Sequence, residues 1–543
     1  MSGFCGIIAE LSLFNLANTL LGSTNIVLTY TMGVMLFFMG VGALAVRFTP
    51  FKKSLLESYV LIEMGLSLLV SSSVFIIYWL SALYPAQSLT WVLMYSSGIG
   101  FLIGFEIPLI LLINQKLKQP LAESSAYVLF ADYLGSLLAF ILFSHLLLSQ
   151  LGIANTALFG AALNGCIAFI TLLSFRRQLK FRQVFLLLSL CIGIIISLGL
   201  YHSEGIMNYV EQLHYRDKVI WKKQTPYQKV VVTWEGKKGY KKYDSNHRER
   251  PKSTLFSKQI SDSSFLSLIQ YRDKKDLRLF INGGLQFSTF DEAYYHEMLV
   301  HPALYLKIEE QKKSSLKVLI GGGGDGMALR EVLKHPEVKE VSVVDLDPEI
   351  TRLFTQNPLF SALNDSSYWD KRVKVYNADF MHFLKTNIEL YDLIILDFPD
   401  PHHYEVSKLY SQQFYQLTRK RLDSTGLLVT QATSPYFSQK AFLVIHKTLK
   451  KIFPDKVLPY KVPMPTFGLW GFHMASKSLS RDSLFHKLEG FKTLVPCQYI
   501  NQQAVQSATR WDKKTFQLES QVKVHSLLKP SLTRAYHSSP RQE

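Results

Sequence analysis

The chain has 543 residues, 48% of them hydrophobic, and a formal net charge of +17 at pH 7, so it is long enough for several domains. A basic excess often indicates nucleic-acid binding, but many of these Lys and Arg residues flank apolar segments or lie in 237–252, where they suit anionic lipid, and no nucleic-acid-binding motif accompanies them. The four cysteines show no CxxC spacing, which argues against a disulfide framework and a metal cluster.

The first 201 residues contain long apolar runs that are almost free of charge. Each is near the roughly 20 residues that a helix needs to cross a bilayer. The first run is a poor signal peptide, because it lacks a basic start and contains Glu10, Asn15 and Asn18. We therefore predict a multi-pass helical domain over 1–201, located in the cell membrane with the lipid bilayer as its partner. The seven predicted spans are 4–21, 26–46, 58–82, 91–114, 124–147, 153–174 and 183–201.

The charges between these spans bear on their orientation. Lys and Arg follow the second, fourth and sixth spans, whereas the loops after the first, third and fifth carry none. The positive-inside rule then places the amino terminus in the cytoplasm, and seven crossings place the rest of the chain outside. A cytoplasmic location for the rest would require that the seventh span does not cross, so the side stays open.

Four carboxylates lie within the predicted spans, with no Lys or Arg at comparable depth: Glu10, Glu63, Glu106 and Asp132. Buried intramembrane acids are costly and are often functional. They either form a cation path or cation site, or they are protonated or hydrogen-bonded to neighbouring helices. The sequence supports both interpretations equally.

The pattern changes after residue 201. We predict a connector over 202–226 that contains a helical stretch, and a small β-strand domain over 227–306 that carries a charged, Ser-rich insertion at 235–276. A helix is predicted over 291–306. Strands and helices then alternate over 307–476, as in an α/β Rossmann-like, methyltransferase-type doubly wound sheet. A polar tail, 477–543, closes the chain.

Four strand-like segments in the α/β region each end in an aspartate. They are LKVLIGGGGDG with Asp325, VSVVDLD with Asp345, VKVYNAD with Asp379, and YDLIILDFPDP with Asp397 and Asp400. Apolar runs of this length predict buried parallel strands. Ligands of such sheets bind at the carboxyl ends of the strands. Five carboxylates would therefore surround one crevice, which indicates a positively charged ligand.

The glycine-rich turn carries Asp325 and has no Lys, so it would repel a phosphate and accept a cation such as a sulfonium that also bears an amine. Asp345 follows about 20 residues later, where an acidic residue binds ribose hydroxyls in adenosine-binding sheets. Asp379 could meet the adenine amino group. Each aspartate alone is more often a helix cap or turn residue, but four at one sheet edge favour a site.

The motif D-F-P-D-P holds Asp397 and Asp400 close together, because its prolines keep the turn out of a helix. One carboxylate could take a proton while the other anchors a cation. The alternative is a proline-stiffened turn with solvated acids.

Together these motifs resemble the spermidine synthase family, the polyamine aminopropyltransferases, and residues 1–201 resemble its membrane-bound branch. The combination Q…DE…YHE with GGGDG and D-x-x-DP is more specific than any one piece. The resembling segments are YQ at 227–228, NGGLQFSTFDEAYYHEMLVHP at 282–302, GGGDGMALREVLKHP at 322–336, VVDLDPE at 343–349, DLIILDFPDP at 392–401 and KLYSQQFY at 408–415.

The resemblance implies transfer of an aminopropyl group from decarboxylated S-adenosylmethionine, as co-substrate and with no further cofactor, to putrescine or a related polyamine. It implies that Asp397 is the general base, that Tyr295 contacts the polyamine and assists at its attacking amine, and that Asp325 holds the donor's amine and contacts the polyamine. Asp400 and His296 would orient the acceptor. The residues implied for the methylthioadenosine part are Gln228, Gln286, Asp345, Asp379 and Phe380. A homodimer is also implied, and the supply of substrate favours a cytoplasmic site.

The sequence departs from the family at several places. Met327 replaces a small residue, HHYE replaces glycine and proline after D-P, and the acceptor-pocket segment at 463–472 is shortened. Phe467 and Trp470 in that segment are equally suited to stacking on a polyamine and to a core. Two other functions remain open: methyl transfer from intact S-adenosylmethionine, against which Asp325 argues, and polyamine binding or transport without turnover.

Two histidine-containing motifs bear on metal binding. The spacing of His296 and His301 is one residue too long for the zinc motif H-E-x-x-H. The adjacent His402 and His403 are expected to point apart. We therefore expect no metal site.

Overall fold

The computed structural model describes residues 2–21, 25–48, 54–116, 120–225, 227–235 and 276–538. These residues form two compact units, the first containing 2–235 with 280–284 and the second containing 276–279 with 285–538. The finer division after 201, 226, 306 and 476 stays a prediction. The predicted insertion at 235–276 lies almost wholly outside the described residues.

The first unit contains seven helices that are long and apolar enough to cross a membrane, by length and composition. This agrees with the predicted number. Their order is α1 (Ser2–Leu21), α2 (Asn25–Ala45), α3 (Leu55–Leu83), α4 (Ser88–Lys116), α5 (Leu121–Leu142), α6 (Leu148–Ser174) and α7 (Arg182–His214).

The predicted connector at 202–226 contains the helical stretch expected there, and it also contains a strand that was not predicted. Helix α7 continues to His214 and buries Ser203, Val210 and Glu211 in its extension. Strand β1 (Lys218–Gln224) follows. The predicted seventh span ends at 201 because polar residues interrupt the apolar run after it, and the span criterion counts only continuous apolar residues.

A small sheet has the strand order β1-β2-β3-β4, with β2 at Lys229–Trp234, β3 at Leu277–Ile281 and β4 at Gly284–Ser288. The β-strand character predicted on either side of the insertion at 235–276 is confirmed. Asn282 and Gly283 join β3 to β4 with φ angles of 48° and 80°, and an Asn-Gly pair is the preferred sequence for such a left-handed two-residue turn.

The second unit is built on a seven-stranded sheet of order β10-β11-β9-β8-β5-β6-β7. Strands β5 to β9 pair in parallel, whereas β10 and β11 are antiparallel. The Rossmann-like prediction is therefore confirmed for five strands, and the sheet as a whole is mixed. The strands are β5 (Leu316–Gly322), β6 (Val338–Asp345), β7 (Val373–Asn377), β8 (Tyr391–Asp397), β9 (Leu422–Gln431), β10 (Val457–Met464) and β11 (Gly468–Ser476).

Helices cover both faces of this sheet. On β5, Val318 and Ile320 join one hydrophobic cluster and Leu319 joins the other, as expected for a strand buried on both sides. The helix predicted at 291–306 is confirmed. The helices are Glu292–Tyr305, Met327–Leu333, Pro348–Gln356, Pro358–Ser361, Phe380–Thr386, Tyr404–Ser407, Gln412–Arg421, Gln439–Ile452, Arg481–Glu489, Gln502–Ala508 and Leu532–His537.

Two predictions for this unit are wrong. Strand β7 is not buried, because it forms the sheet edge and most of its residues are exposed. The segment 477–543 is not simply a polar tail, because Leu484, Val505 and Leu532 are buried in the core clusters. Neither result follows from local periodicity, since sheet position and long-range packing are set by the whole fold.

Candidate active site

The site lies where the strand order reverses between β5 and β8, the position at which open α/β sheets bind ligands. Gly322 at the end of β5 pairs with Asp397 at the end of β8. Gly322 has a φ of 76°, and a Cβ there would overlap the backbone oxygen of Asp397. Glycine is therefore required for the loop to approach the end of β8 this closely.

Asp397 is the central carboxylate of the site. Its Oδ1 accepts a hydrogen bond of 2.6 Å from the Tyr295 hydroxyl. Desolvation raises its pKa to about 6, with a further contribution from the charge of Asp325 and an opposing one from His296. A carboxylate with this pKa is mostly ionised at neutral pH and is a better proton acceptor than an ordinary aspartate.

His296 lies on the Glu292–Tyr305 helix, one turn after Glu292. Its Nδ1 is 2.8 Å from Glu292 Oε2. Burial lowers the pKa of His296, but the hydrogen bond to Glu292 and the charges of Glu292, Asp325 and Asp397 outweigh burial and raise it to about 9. A protonated imidazole therefore lies in the electrostatic environment of Asp397.

Asp325 lies in the glycine loop, and Asp345, at the end of β6, contacts this loop. The backbone N–H of Met327 donates to Asp325 Oδ1 at 2.9 Å. Asp345 accepts from the N–H groups of Gly324 at 3.2 Å and Asp347 at 2.9 Å. Desolvation raises the pKa of Asp345 to about 6. Asp345 therefore helps to fix the loop that carries Asp325.

Asp400 follows β8 in the proline-stiffened turn. Its Oδ2 accepts hydrogen bonds from the hydroxyls of Thr433 at 3.3 Å and Tyr536 at 2.9 Å. Desolvation raises its pKa to about 6, although both hydroxyls and the amide of Gln431 act to lower it. This carboxylate is therefore not a freely solvated turn residue.

Asp379 and Phe380 occupy structural positions beside the site. Asp379 caps the Phe380–Thr386 helix by accepting from the His382 N–H at 2.9 Å, and it pairs with Lys408 at 2.8 Å. The Phe380 ring is buried, and a Cβ on Gly321 would collide with it. Their roles in donor binding remain predictions.

The two predicted glutamines lie on the small sheet and next to it. Gln286 is on β4, within the second unit. Gln228 precedes β2 and belongs to the first unit, where its backbone N–H donates to the Thr225 hydroxyl. Donor binding by both remains a prediction.

Sequence reasoning missed the support behind His296. The guanidinium of Arg330 donates to both carboxylate oxygens of Glu292, at 3.0 and 2.9 Å. Glu292 thereby stays charged beside His296. The i, i+4 spacing of Glu292 and His296 on a predicted helix could have indicated their contact, whereas nothing local indicated Arg330.

The aromatic residues of the shortened segment pack beside Tyr295. Phe467 and Trp470 have ring centroids 5.3 Å apart, and Trp470 lies 6.5 Å from Tyr295. Both belong to the periphery of a core cluster. Stacking on a polyamine remains a prediction.

The expectation that His402 and His403 point apart is wrong, because their ring centroids are 4.1 Å apart. The backbone N–H of His402 donates to the backbone oxygen of Asp400 at 2.8 Å in this turn. His301, the other histidine considered above, contacts Glu331 and His335 at 2.9 Å each. Among the described residues, no group of three or more metal-ligand side chains could hold a metal ion.

The comparisons with known proteins agree with this geometry. The spermine/spermidine synthase domain model matches residues 292–485. A polyamine aminopropyltransferase of Oceanobacillus iheyensis is 32% identical over 98% of this chain and 95% of its own length. The polyamine aminopropyltransferase 2 of Aquifex aeolicus is 35% identical over 99% and 97%, respectively. The chain belongs to the polyamine aminopropyltransferase family. These alignments include the helical first unit.

Among solved structures, the spermidine synthase of Thermotoga maritima is 21% identical, with a TM-score of 0.42, and the match covers 56% of this chain and 88% of that chain. By its family and its curated relatives, this aminopropyltransferase is a transferase of polyamine biosynthesis that uses decarboxylated S-adenosylmethionine as donor. The relatives give no support to methyl transfer or to polyamine binding without turnover.

Proposed function

We propose that this aminopropyltransferase acts from a membrane, makes a spermidine-type product from putrescine or a related polyamine, and uses Asp397 as its general base. The observation that carries the proposal is the desolvated carboxylate of Asp397, held by Tyr295 at the reversal point of the sheet. Its pKa of about 6 suits a base that works at neutral pH.

The reaction follows from the charges of the two substrates. The lone pair of a neutral acceptor amine attacks the aminopropyl carbon bonded to sulfur, and a C–N bond forms. The C–S bond breaks, and its electron pair neutralises the sulfonium to give methylthioadenosine. The new ammonium loses its proton to Asp397. The enzyme contributes mainly by positioning the two substrates and by keeping the attacking amine unprotonated.

His296 contributes to the second of these effects. Because its pKa is raised to about 9, it is cationic at neutral pH. A cation near the attacking nitrogen disfavours the ammonium form of the acceptor, and it keeps Asp397 ionised. His296 thus biases both reaction partners towards the protonation states that the reaction needs.

The donor carries positive charge on sulfur and on its amine. Asp325, whose Oδ1 is held by the Met327 N–H, would pair with the amine because the two groups carry opposite charges. Asp345 and Asp379 would bind the adenosine part from the adjacent strands. An intact S-adenosylmethionine would bring a carboxylate towards Asp325 and is disfavoured for that reason.

Purified full-length protein in detergent tests the proposal when incubated with labelled decarboxylated donor and putrescine. The expected products are labelled spermidine and methylthioadenosine. Intact S-adenosylmethionine is the control donor. Transfer of its methyl group, or binding of putrescine without release of methylthioadenosine, would contradict the proposal.

The location is tested separately. Seven apolar helices support a multi-pass membrane protein. The charge pattern favours a catalytic unit outside the cell, and the supply of donor favours the cytoplasm. A reporter fused to the carboxyl terminus would distinguish the two sides. A full-length protein that remains soluble without detergent would contradict the membrane location.

A further inference from the structure

The carboxyl-terminal helix (Leu532–His537) brings a side chain to Asp400. The hydroxyl of Tyr536 donates to Asp400 Oδ2 at 2.9 Å. Leu532 of the same helix is fully buried, and Tyr536 packs at the edge of a core cluster. The helix lies beyond residues 292–485, which match the family domain. Its contact with the site is therefore a feature that the domain match does not describe.

The end of this helix and the chain before it are both bonded to the loop that follows Asp400. His537 Nε2 is 2.7 Å from the backbone oxygen of His402. The hydroxyl of Tyr404 donates to the backbone oxygen of Leu527 at 3.2 Å. His525 is fully buried, and its Nε2 is 2.8 Å from the backbone oxygen of Ser407. The segment HHYE, which departs from the family pattern, is thus packed against the carboxyl-terminal segment.

The two oxygens of Asp400 have different environments. Oδ2 is shared by Tyr536 and Thr433. Oδ1 is inaccessible to solvent, and it makes no hydrogen bond by geometry among the described residues, although the amide of Gln431 interacts with this carboxylate. A buried carboxylate oxygen without a donor is unfavourable, and a ligand N–H group would satisfy it. The arrangement therefore leaves one oxygen for a ligand.

Thr433 shows that this arrangement is strained. Its φ is 57°, a left-handed conformation that is an outlier for a β-branched residue. Its N–H donates to Gln431 Oε1 at 2.8 Å, which holds the backbone in place while the hydroxyl reaches Asp400. Such strain is maintained where surrounding contacts over-determine it, and it concentrates at functional sites.

We propose that Tyr536 is a positioning residue for the acceptor: it orients Asp400 so that Oδ1 binds the primary ammonium at the end of the polyamine that does not react. The inference rests on the proposed function for the identity of the acceptor. Tyr536 touches Asp400 and acts through it. Its removal should therefore weaken acceptor binding and spare the donor site and the chemical step at Asp397.

The test compares full-length wild type, Tyr536→Phe and Tyr404→Phe in detergent. Each variant loses one hydroxyl, but Tyr404→Phe removes a bond of the carboxyl-terminal segment that does not involve Asp400. For Tyr536→Phe we expect the Kd and KM for putrescine to rise about tenfold, since a hydrogen bond to a charged group is lost. For kcat and the donor KM of Tyr536→Phe we expect changes within about twofold. We expect the same of all the constants of Tyr404→Phe.

Calorimetric binding of putrescine and release of methylthioadenosine are measured on the same preparations. Unchanged putrescine Kd and KM in Tyr536→Phe would overturn the inference. Equal increases in both variants would also overturn it, because docking of the segment would then account for the effect. A wild type that releases no methylthioadenosine contradicts the proposed function instead, and the binding of putrescine to the two variants still decides the role of Tyr536.

Discussion

Buried carboxylates occur in both compact units, but their surroundings differ. In the second unit, Asp397 accepts from a tyrosine and Asp345 accepts from two backbone N–H groups. In the first unit, Glu63 on α3 is fully buried, and neither of its oxygens has a hydrogen bond by geometry among the described residues, although the Tyr59 hydroxyl interacts with it. Buried acids in the two units therefore differ in how their oxygens are hydrogen-bonded.

The difference follows from backbone geometry. At the carboxyl ends of parallel strands, loops and the first turns of helices present N–H groups that are not used by regular structure. Inside a long apolar helix, every N–H is bonded to the carbonyl four residues earlier. Acids at strand ends can therefore be held as ordered carboxylates, whereas acids within helices depend on side chains from neighbouring helices.

Glu211 near the end of α7 supports this explanation. Its Oε1 accepts from the Tyr78 hydroxyl at 2.6 Å, and its Oε2 pairs with Lys229. Side chains from other elements thus satisfy this acid where the helix extends past its apolar part. For Glu63 and Glu106, a cation site and a neutral buried acid both remain open.

The largest expected effect on turnover is at Asp397. Asp397→Asn should lower kcat by about 10³-fold, since a general base typically contributes two to four orders of magnitude. Donor binding, measured by calorimetry, should change little. The matched control is Asp392→Asn, at the other end of β8, whose carboxylate bonds Lys313 and the Lys317 N–H. It should alter stability and retain kcat within about twofold; comparable loss in both variants would remove Asp397 as the base.

Asp345→Asn tests whether an acid at a strand end is fixed by backbone donors. An amide group must turn an NH₂ towards the N–H of Gly324 or Asp347, which leaves one donor unpaired. The donor KM should rise about thirtyfold and the free energy of unfolding should fall by about 1–3 kcal/mol. An unchanged donor KM in a destabilised variant would assign Asp345 to stability alone.

Tyr295→Phe tests the hydrogen bond on Asp397. That bond and the charge of His296 lower the pKa of Asp397 against desolvation. Its loss should move the pKa above about 6 and lower kcat/KM at pH 7 about tenfold. The rise of kcat/KM with pH should shift to higher pH, because Asp397 is active when deprotonated. A lower rate with an unshifted profile would mean that Tyr295 acts on the substrate.

Glu63→Gln in α3 should have the smallest effect. The carboxylate has no geometric hydrogen bond to lose, so a neutral side chain of the same size should leave the free energy of unfolding unchanged or raise it by about 1 kcal/mol. Turnover should be unchanged. Unfolding in detergent and methylthioadenosine release give the two values. A loss of cation flux or binding in this variant would instead support a cation site in the helices.

The sequence predicts features that follow from regular strand geometry, and it does not predict those that depend on long-range packing. Asp397 and Asp345 were found because parallel strands bring sequence-distant ends to one edge, a regularity that needs no detailed coordinates. The exposure of β7 was not found, because an apolar pattern does not tell an edge strand from a central one. Tyr536 was not found, because its contact with Asp400 spans 136 residues and depends on packing that no local pattern encodes.

The central claim is that the desolvated carboxylate of Asp397 accepts the proton during aminopropyl transfer. The most direct measurement is kcat/KM for methylthioadenosine release across pH 4–8, for wild type and Asp397→Asn. We predict that the wild-type rate rises with an apparent pKa of about 6 and that the variant loses this rise together with most of its activity. The same rise in the variant, or no release from wild type at any pH, would contradict the claim.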